Sequence, residues 1–235
     1  MFPYARGMSP RNPAPRSRRE RPAKPALTYE GIVATAVGLM KAEGLNRVTM
    51  RRLAQELDTG PASLYVYVAN TAELHAAILE DLLGTVDLRP VRGKGDWQDR
   101  LVAVLNSYTL VLFEHPTLAH SALITRPSGP NSLALVEAIL VLLGEGGAPD
   151  AQAAWGVDVL LQVATATAAE QSARHENTTA TGEHQALVAA LREVSPEQYP
   201  RIAAVGDDLV SGPPLDRLEW IFRAVINGTL GTPRA

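Results

Sequence analysis

From Leu27 onward, apolar residues recur at helical spacing along most of the chain. Tyr29, Ile32, Val33, Ala36, Val37 and Met40 stand at i, i+3, i+4, i+7, i+8 and i+11, one stripe of a first helix. Thr28 is a good N-cap for it, and Leu27 can staple onto Ile32. Gly44 is expected to end it in the left-handed conformation, with Leu45 touching Met40. A second short helix is predicted from Thr49 to near Leu57, followed by the tight connection Asp58-Thr59-Gly60. Pro61 suits the first position of a third, running to about Val66. Asn70 caps a fourth, with Glu73 three residues on as its partner. Short helices joined by a three-residue turn predict a helix-turn-helix unit.

The helical pattern continues. Leu74, Ile78 and Leu82 share a face, and Gly84 ends that helix. Residues 85–96 read as a loop, and Asp96 can cap a helix running to about Phe113. His115-Pro116 breaks it, a short segment runs to Thr125, and Pro127, Gly129 and Pro130 make the next loop. Leu133 to Leu143 is strongly apolar and closes on glycines. The longest helix, Ala151 to about Arg174, has few charges in its middle and is expected to be buried on most sides. Residues 175–183 are polar and expected to be mobile. A helix near Glu183 to Glu193 follows, then a short one starting at Ser195-Pro196-Glu197. Pro213 and Pro214 introduce the last, with Leu218, Ile221, Phe222 and Val225 as its stripe. No alternating strand pattern appears, so the fold class is all-α. The expected division is an arm at 1–26, a helix-turn-helix domain at 27–72, a helical bundle at 73–230 and a tail at 231–235.

At 235 residues the chain fits one or two domains. It has no cysteine, which removes disulfides, thiolate metal sites and thiol nucleophiles, and fits a reducing compartment, so a cytoplasmic location is expected. No run of about 18 apolar residues is present, so no membrane span is expected. The N-terminus lacks the apolar core of a signal peptide. The net charge of −3 hides an asymmetry: residues 1–60 carry 11 Lys/Arg against 5 Asp/Glu, and residues 61–235 carry 11 against 20. A basic head on an acidic body suggests that the head meets a polyanion. On charge alone, a merely solvated tail fits equally. Residues 1–26, with six prolines and seven Lys/Arg, read as a flexible basic arm.

The stretch from Thr49 to Asn70 resembles the DNA-binding signature of the TetR (tetracycline-repressor-like) family. Ile32, Ala36 and Gly44 fit its first helix, Leu53, Ala54 and Leu57 its second, Leu64 and Tyr65 its recognition helix, and Leu74 the start of its fourth. The resemblance implies an N-terminal helix-turn-helix domain and a C-terminal bundle that binds a ligand and dimerises. It further implies a homodimer on a palindromic, double-stranded operator, acting as a repressor released by a small molecule. The long helix after Ala151 and the last one after Pro214 would form the dimer. It also implies that Arg51, at the second-helix position where tetracycline repressors use an arginine on guanine, is the principal base reader. Three departures stand out: Asp58 where the family often has glycine, Tyr67 where histidine is common, and Thr71 where lysine is common.

Read on their own, the residues point the same way. Thr49, Arg51 and Arg52 at a helix N-terminus make an anion-facing edge. Gly60, Pro61, Ala62 and Ser63 are small enough to let backbone lie deep in a major groove, where Ala62 and Val66 could meet thymine methyls. Tyr65 and Tyr67 carry hydroxyls that can reach phosphates, or else pad the core; Thr71 completes the candidate edge. In the body, Asp158, Gln162 and Thr165 form a polar seam at i, i+4 and i+7 on an apolar helix. Such a seam belongs to a ligand cavity, to a dimer interface or to solvent. The first reading makes Tyr108, Phe113, Trp155, Gln162 and Thr165 candidate lining residues for a largely apolar effector.

Catalytic alternatives are thin. The five histidines are scattered, and His115 and His120 fall on different helix faces, so no metal is expected. Gly144-Glu145-Gly146-Gly147 lacks the Lys-Ser/Thr of a phosphate loop. Ser121, Ser128 and Ser132 lack a G-x-S-x-G setting. No enzyme and no cofactor are expected. A ligand-independent architectural DNA binder, and an enzyme with a helical ligand-binding domain, are the alternatives.

Overall fold

Thr28 caps the first helix with its hydroxyl, which accepts from Gly31 N at 3.1 Å. The computed structural model describes residues 26–124 and 127–234, so the expected basic arm, except its last residue, lies outside the described residues. Helix α1 (Tyr29–Glu43) turns Ile32, Val33, Ala36, Val37, Leu39 and Met40 inward. Gly44 does take a positive φ, but at φ 86 and ψ 155 it is not in the left-handed helical well. The chain leaves in an extended step and enters a 3-10 turn over Leu45–Arg47, because Leu45 is drawn into the core.

Helix α2 (Met50–Glu56) is capped by Thr49, whose hydroxyl accepts from Arg52 N at 3.1 Å. Helix α3 (Pro61–Leu64) stops earlier than expected. Tyr67 N and Val68 N converge on the carbonyl of Leu64, at 2.9 and 3.0 Å, and tighten the chain into a turn. Helix α4 (Thr71–Leu83) is capped by Asn70, which accepts from Glu73 N at 2.9 Å, while Glu73 accepts from Ala69 N at 2.6 Å. The expected domain boundary after residue 72 falls inside α4, which is continuous.

The body comprises α5 (Trp97–Phe113), α6 (Pro116–Ala122), α7 (Pro130–Glu145), α8 (Asp150–Glu176), α9 (Ala180–Arg192), α10 (Pro200–Leu209) and α11 (Pro214–Gly231). Asp96 caps α5 as expected, accepting from Gln98 N and Asp99 N. Helix α8 packs against α5, α6, α7 and α11, and α4 reaches from α1 to α6 and α7. Leu101, Leu105, Leu112, Ile139, Leu142, Leu160 and Phe222 are fully buried among these helices. No strand occurs among the described residues, and no helix there is long and apolar enough to cross a membrane.

Three expectations are corrected. Helix α8 is buried on one side only: Ala153, Val157, Leu160, Ala164 and Ala168 face the core, whereas Trp155 and Val159 are exposed. The polar run 175–183 is mostly helix, since α8 continues to Glu176 and α9 begins at Ala180. Asn177 closes the gap by accepting from Thr179 N at 2.9 Å, a local turn that suits polar residues. Residues 196–198 form a turn, and the helix begins at Pro200, whose missing N–H is tolerated at a first position.

Candidate DNA-recognition edge and effector cavity

Leu53, Leu64 and Val68 are fully buried, with α2 packed against α1 and α3 against α2. That packing leaves Thr49, Arg51, Gly60, Pro61, Ala62, Ser63, Tyr65, Val66, Tyr67 and Thr71 exposed. Val66, at 80% exposure, has no core role. Asp58 has φ 47, the left-handed conformation that glycine adopts most readily. The turn therefore keeps a glycine-like bend with an aspartate in it, which Asp tolerates better than most residues.

The candidate side chains divide. Arg51 is exposed, and among the described residues nothing pairs with it. Arg52 is held inside the fold. Its Nη2 lies 2.6 Å from Glu43 Oε1 and its Nη1 lies 2.8 Å from Glu56 Oε2, so the guanidinium clips α2 onto α1. The hydrogen bond from Arg52 lowers the Glu43 carboxyl below its ordinary range. Tyr67 is engaged as well: its hydroxyl donates to the carbonyl of Leu27 at 2.7 Å, tying the recognition turn to the start of α1. Thr49 accepts at its own cap and retains its hydroxyl hydrogen.

In the body, a cavity of about 430 Å³ opens between α4, α5, α7, α8 and the end of α6. Its apolar walls include Leu79 and Leu83 from α4, Leu135 and Val136 from α7, and Leu161 from α8. Tyr108, Gln162 and Thr165 all line it, with Asp158 and Ser132. Tyr108 Oη lies 2.7 Å from Thr165 Oγ1, and both residues are buried. Burial pushes the Tyr108 phenol above its ordinary pKa, while the bond to Thr165 acts in the opposite direction.

Two expected lining residues lie elsewhere. Trp155 is 59% exposed and carries the Arg234 guanidinium 4.2 Å from its ring centroid. A helix rotates about 100° per residue, which takes Trp155 round from the cavity-lining Ala154 to the outer face shared with Val159. Phe113 ends α5, five residues beyond Tyr108, and so points about 140° away from it. Sequence reasoning missed Leu79, Leu83, Leu135 and Val136, whose helical spacing is that of any core residue. It also missed His75, which joins α4 to α6 through a 3.3 Å contact between Nδ1 and Ser121 Oγ. Among the described residues, the buried Nε2 of His75 has no partner, and burial lowers its pKa. Among the described residues, no three His, Asp or Glu gather as a metal site.

An exposed helix-turn-helix edge, linked by a continuous helix to an apolar cavity with few polar groups, defines a DNA-binding transcriptional regulator with an effector domain. Residues 32–78 match the family model described as bacterial regulatory proteins, tetR family, and residues 89–213 match the tetracyclin repressor-like C-terminal domain. The chain belongs to the TetR family. An HTH-type transcriptional regulator of Saccharopolyspora erythraea is 33% identical over 190 residues, 80% of this chain and 78% of that protein. The crystal structure of the Streptomyces transcription regulator SCO7704 is 59% identical, covers 90% of this chain and 98% of its own, and superposes with a TM-score of 0.75. The Streptomyces coelicolor TetR family protein ActR, crystallised with actinorhodin, is 33% identical over 88% of this chain and 96% of its own, with a TM-score of 0.76.

Proposed function

We propose that this regulator represses transcription by binding a palindromic, double-stranded operator as a homodimer, and that a largely apolar small molecule in the cavity releases it. The observation that carries the reading is the placement of α4. Its first turn follows the recognition segment, and Leu79 and Leu83 further along it wall the cavity. A molecule that fills the cavity therefore bears on the helix that carries the DNA-binding unit, a packed connection of the kind allostery uses. The 33% identical ActR accommodates actinorhodin, which supports an effector role for the cavity here.

In this reading residues 27–72 bind DNA, residues 73–230 bind effector and dimerise, and the basic arm adds phosphate contacts. Arg51 reads a base, while Tyr65, Thr49, Thr71 and the backbone from Gly60 to Ser63 position the helix. Exposed Trp155 and Val159 on α8, with Leu215 and Trp220 on α11, supply the apolar face on which two copies meet. The protein acts in the cytoplasm and carries out no catalysis. Binding selection from random DNA tests the reading: one palindrome should emerge, with half-sites about one helical turn apart. Recovery of no preferred sequence would leave an architectural DNA binder instead.

A further inference from the structure

The hydroxyl groups that line the cavity share a property that narrows the effector. Thr165 Oγ1 lies 2.7 Å from the carbonyl oxygen of Leu161. A carbonyl only accepts, so the single hydroxyl hydrogen of Thr165 is committed there. The hydrogen in the 2.7 Å contact between Tyr108 and Thr165 must then come from Tyr108. Ser132 donates to the carbonyl of Gly129 at 2.9 Å, which commits its hydrogen too. All three hydroxyls have thus committed their hydrogens and have only lone pairs left to offer a ligand; among the described lining residues, Gln162 can still offer N–H groups.

We propose that the cavity selects effectors that are hydrogen-bond donors: apolar ring compounds bearing hydroxyl or N–H groups, in preference to the same skeletons carrying only ethers. A ligand hydroxyl finds a lone pair on Tyr108 or Ser132. An ether oxygen in its place sets lone pair against lone pair, so neither the ether nor the facing lone pair gains a hydrogen bond, which costs affinity. This inference rests on the cavity being the effector site.

The test uses 2,6-dihydroxynaphthalene and 2,6-dimethoxynaphthalene, which differ in donors and share a ring small enough for the cavity. Fluorescence titration of the full chain should show the dihydroxy compound binding at least about 10-fold more tightly. Thr165→Val removes the acceptor of Tyr108 and turns its hydrogen toward the cavity. The dimethoxy compound should then gain affinity and the preference fall to about threefold or less. Ser132→Ala provides a second reading should Thr165→Val fold poorly: it should weaken the dihydroxy compound alone. Equal binding of the two compounds to the wild type, or a preference unchanged in both variants, would overturn the donor rule and leave the cavity as effector site. Binding of neither compound would overturn the effector-site reading and the inference together.

Discussion

The carboxylate of Glu80 on α4 accepts from the backbone N–H of Asn131, at 2.6 Å, in the first turn of α7. It also accepts from Ser132 N at 3.2 Å, and Asn131 Nδ2 donates back to the carbonyl of Glu80 at 2.9 Å. A negative group thus sits against the positive end of α7. Gly129 makes the approach close enough, since a Cβ there would come within 2.5 Å of Glu80. The helix that carries the DNA-binding unit is in this way fastened to a wall of the cavity. Glu80→Ala should leave two partly buried N–H groups without partners and cost about 1–3 kcal/mol in a urea denaturation. Gly129→Ala should destabilise in the same direction by displacing Glu80. Unchanged stability in both variants would mean that the contact contributes nothing.

Arg51 and Arg52 are neighbours with opposite duties. Arg51→Ala should cost about 1–3 kcal/mol on the preferred DNA site and relax selection at one position per half-site. Arg52→Ala removes the clip between α2 and α1 and should lower the melting temperature slightly, with base preference intact. Binding selection repeated on each variant checks both. If Arg51→Ala weakened all sequences alike, that residue would be a phosphate contact.

Tyr67 has a single hydroxyl hydrogen, and it is engaged by Leu27. A phosphate oxygen is an acceptor and cannot share that hydrogen without displacing the carbonyl. Tyr67→Phe should therefore cost about 1 kcal/mol of stability and leave the affinity for DNA unchanged. Tyr65→Phe should do the reverse, weakening DNA binding by about 1 kcal/mol with stability unchanged; the salt slope should not move, because a neutral hydroxyl displaces no counterion. DNA affinity measured beside thermal stability distinguishes the two tyrosines.

Asp58 tests the turn. Asp58→Val places a β-branched residue at φ 47 and should destabilise the helix-turn-helix by about 1–2 kcal/mol. Asp58→Gly should stay within about 1 kcal/mol of the wild type, because relief of strain is offset by a more flexible unfolded chain. Thermal denaturation measures both.

His75 sets a pH dependence. Burial lowers its pKa in the folded protein, so the unfolded chain binds the proton more tightly. Its contribution is fully present above the ordinary value of 6.5 and is lost as pH falls from there toward the folded value. His115, also lowered by burial, acts in the same direction. His75→Gln should flatten the fall in stability below about pH 6.5 without removing it, since His115 remains. An identical pH profile in wild type and variant would contradict this.

Much of the fold was legible because its signals are local. Thr28, Asn70 and Asp96 each cap the helix assigned to them, Thr49 caps the helix it was expected to begin, and proline and glycine mark most of the boundaries. Residues 175–183 misled because polar side chains at helix ends resemble a loop. The expected start of α10 falls too early because Ser195-Pro196 offers an N-terminal signal as good as that of Pro200. In the cavity, Asp158, Gln162 and Thr165 stand out as a polar seam on an apolar helix, and Tyr108 as one of few aromatic residues. Trp155 and Phe113 were included for being aromatic, although rotation about their helix axes carries them off the cavity. Leu79, Leu83 and Glu80 bear no mark in sequence, since what each faces depends on how separate helices pack.

Control of DNA binding by the cavity is most directly tested by reciprocity. A cavity ligand found by thermal-shift screening is titrated calorimetrically into the protein alone, and then into the protein saturated with its selected palindrome. The expected result is a 5–150-fold weaker affinity on DNA, because whatever factor the ligand imposes on the operator, the operator must impose on the ligand. Equal affinities with and without DNA would contradict effector control through this cavity.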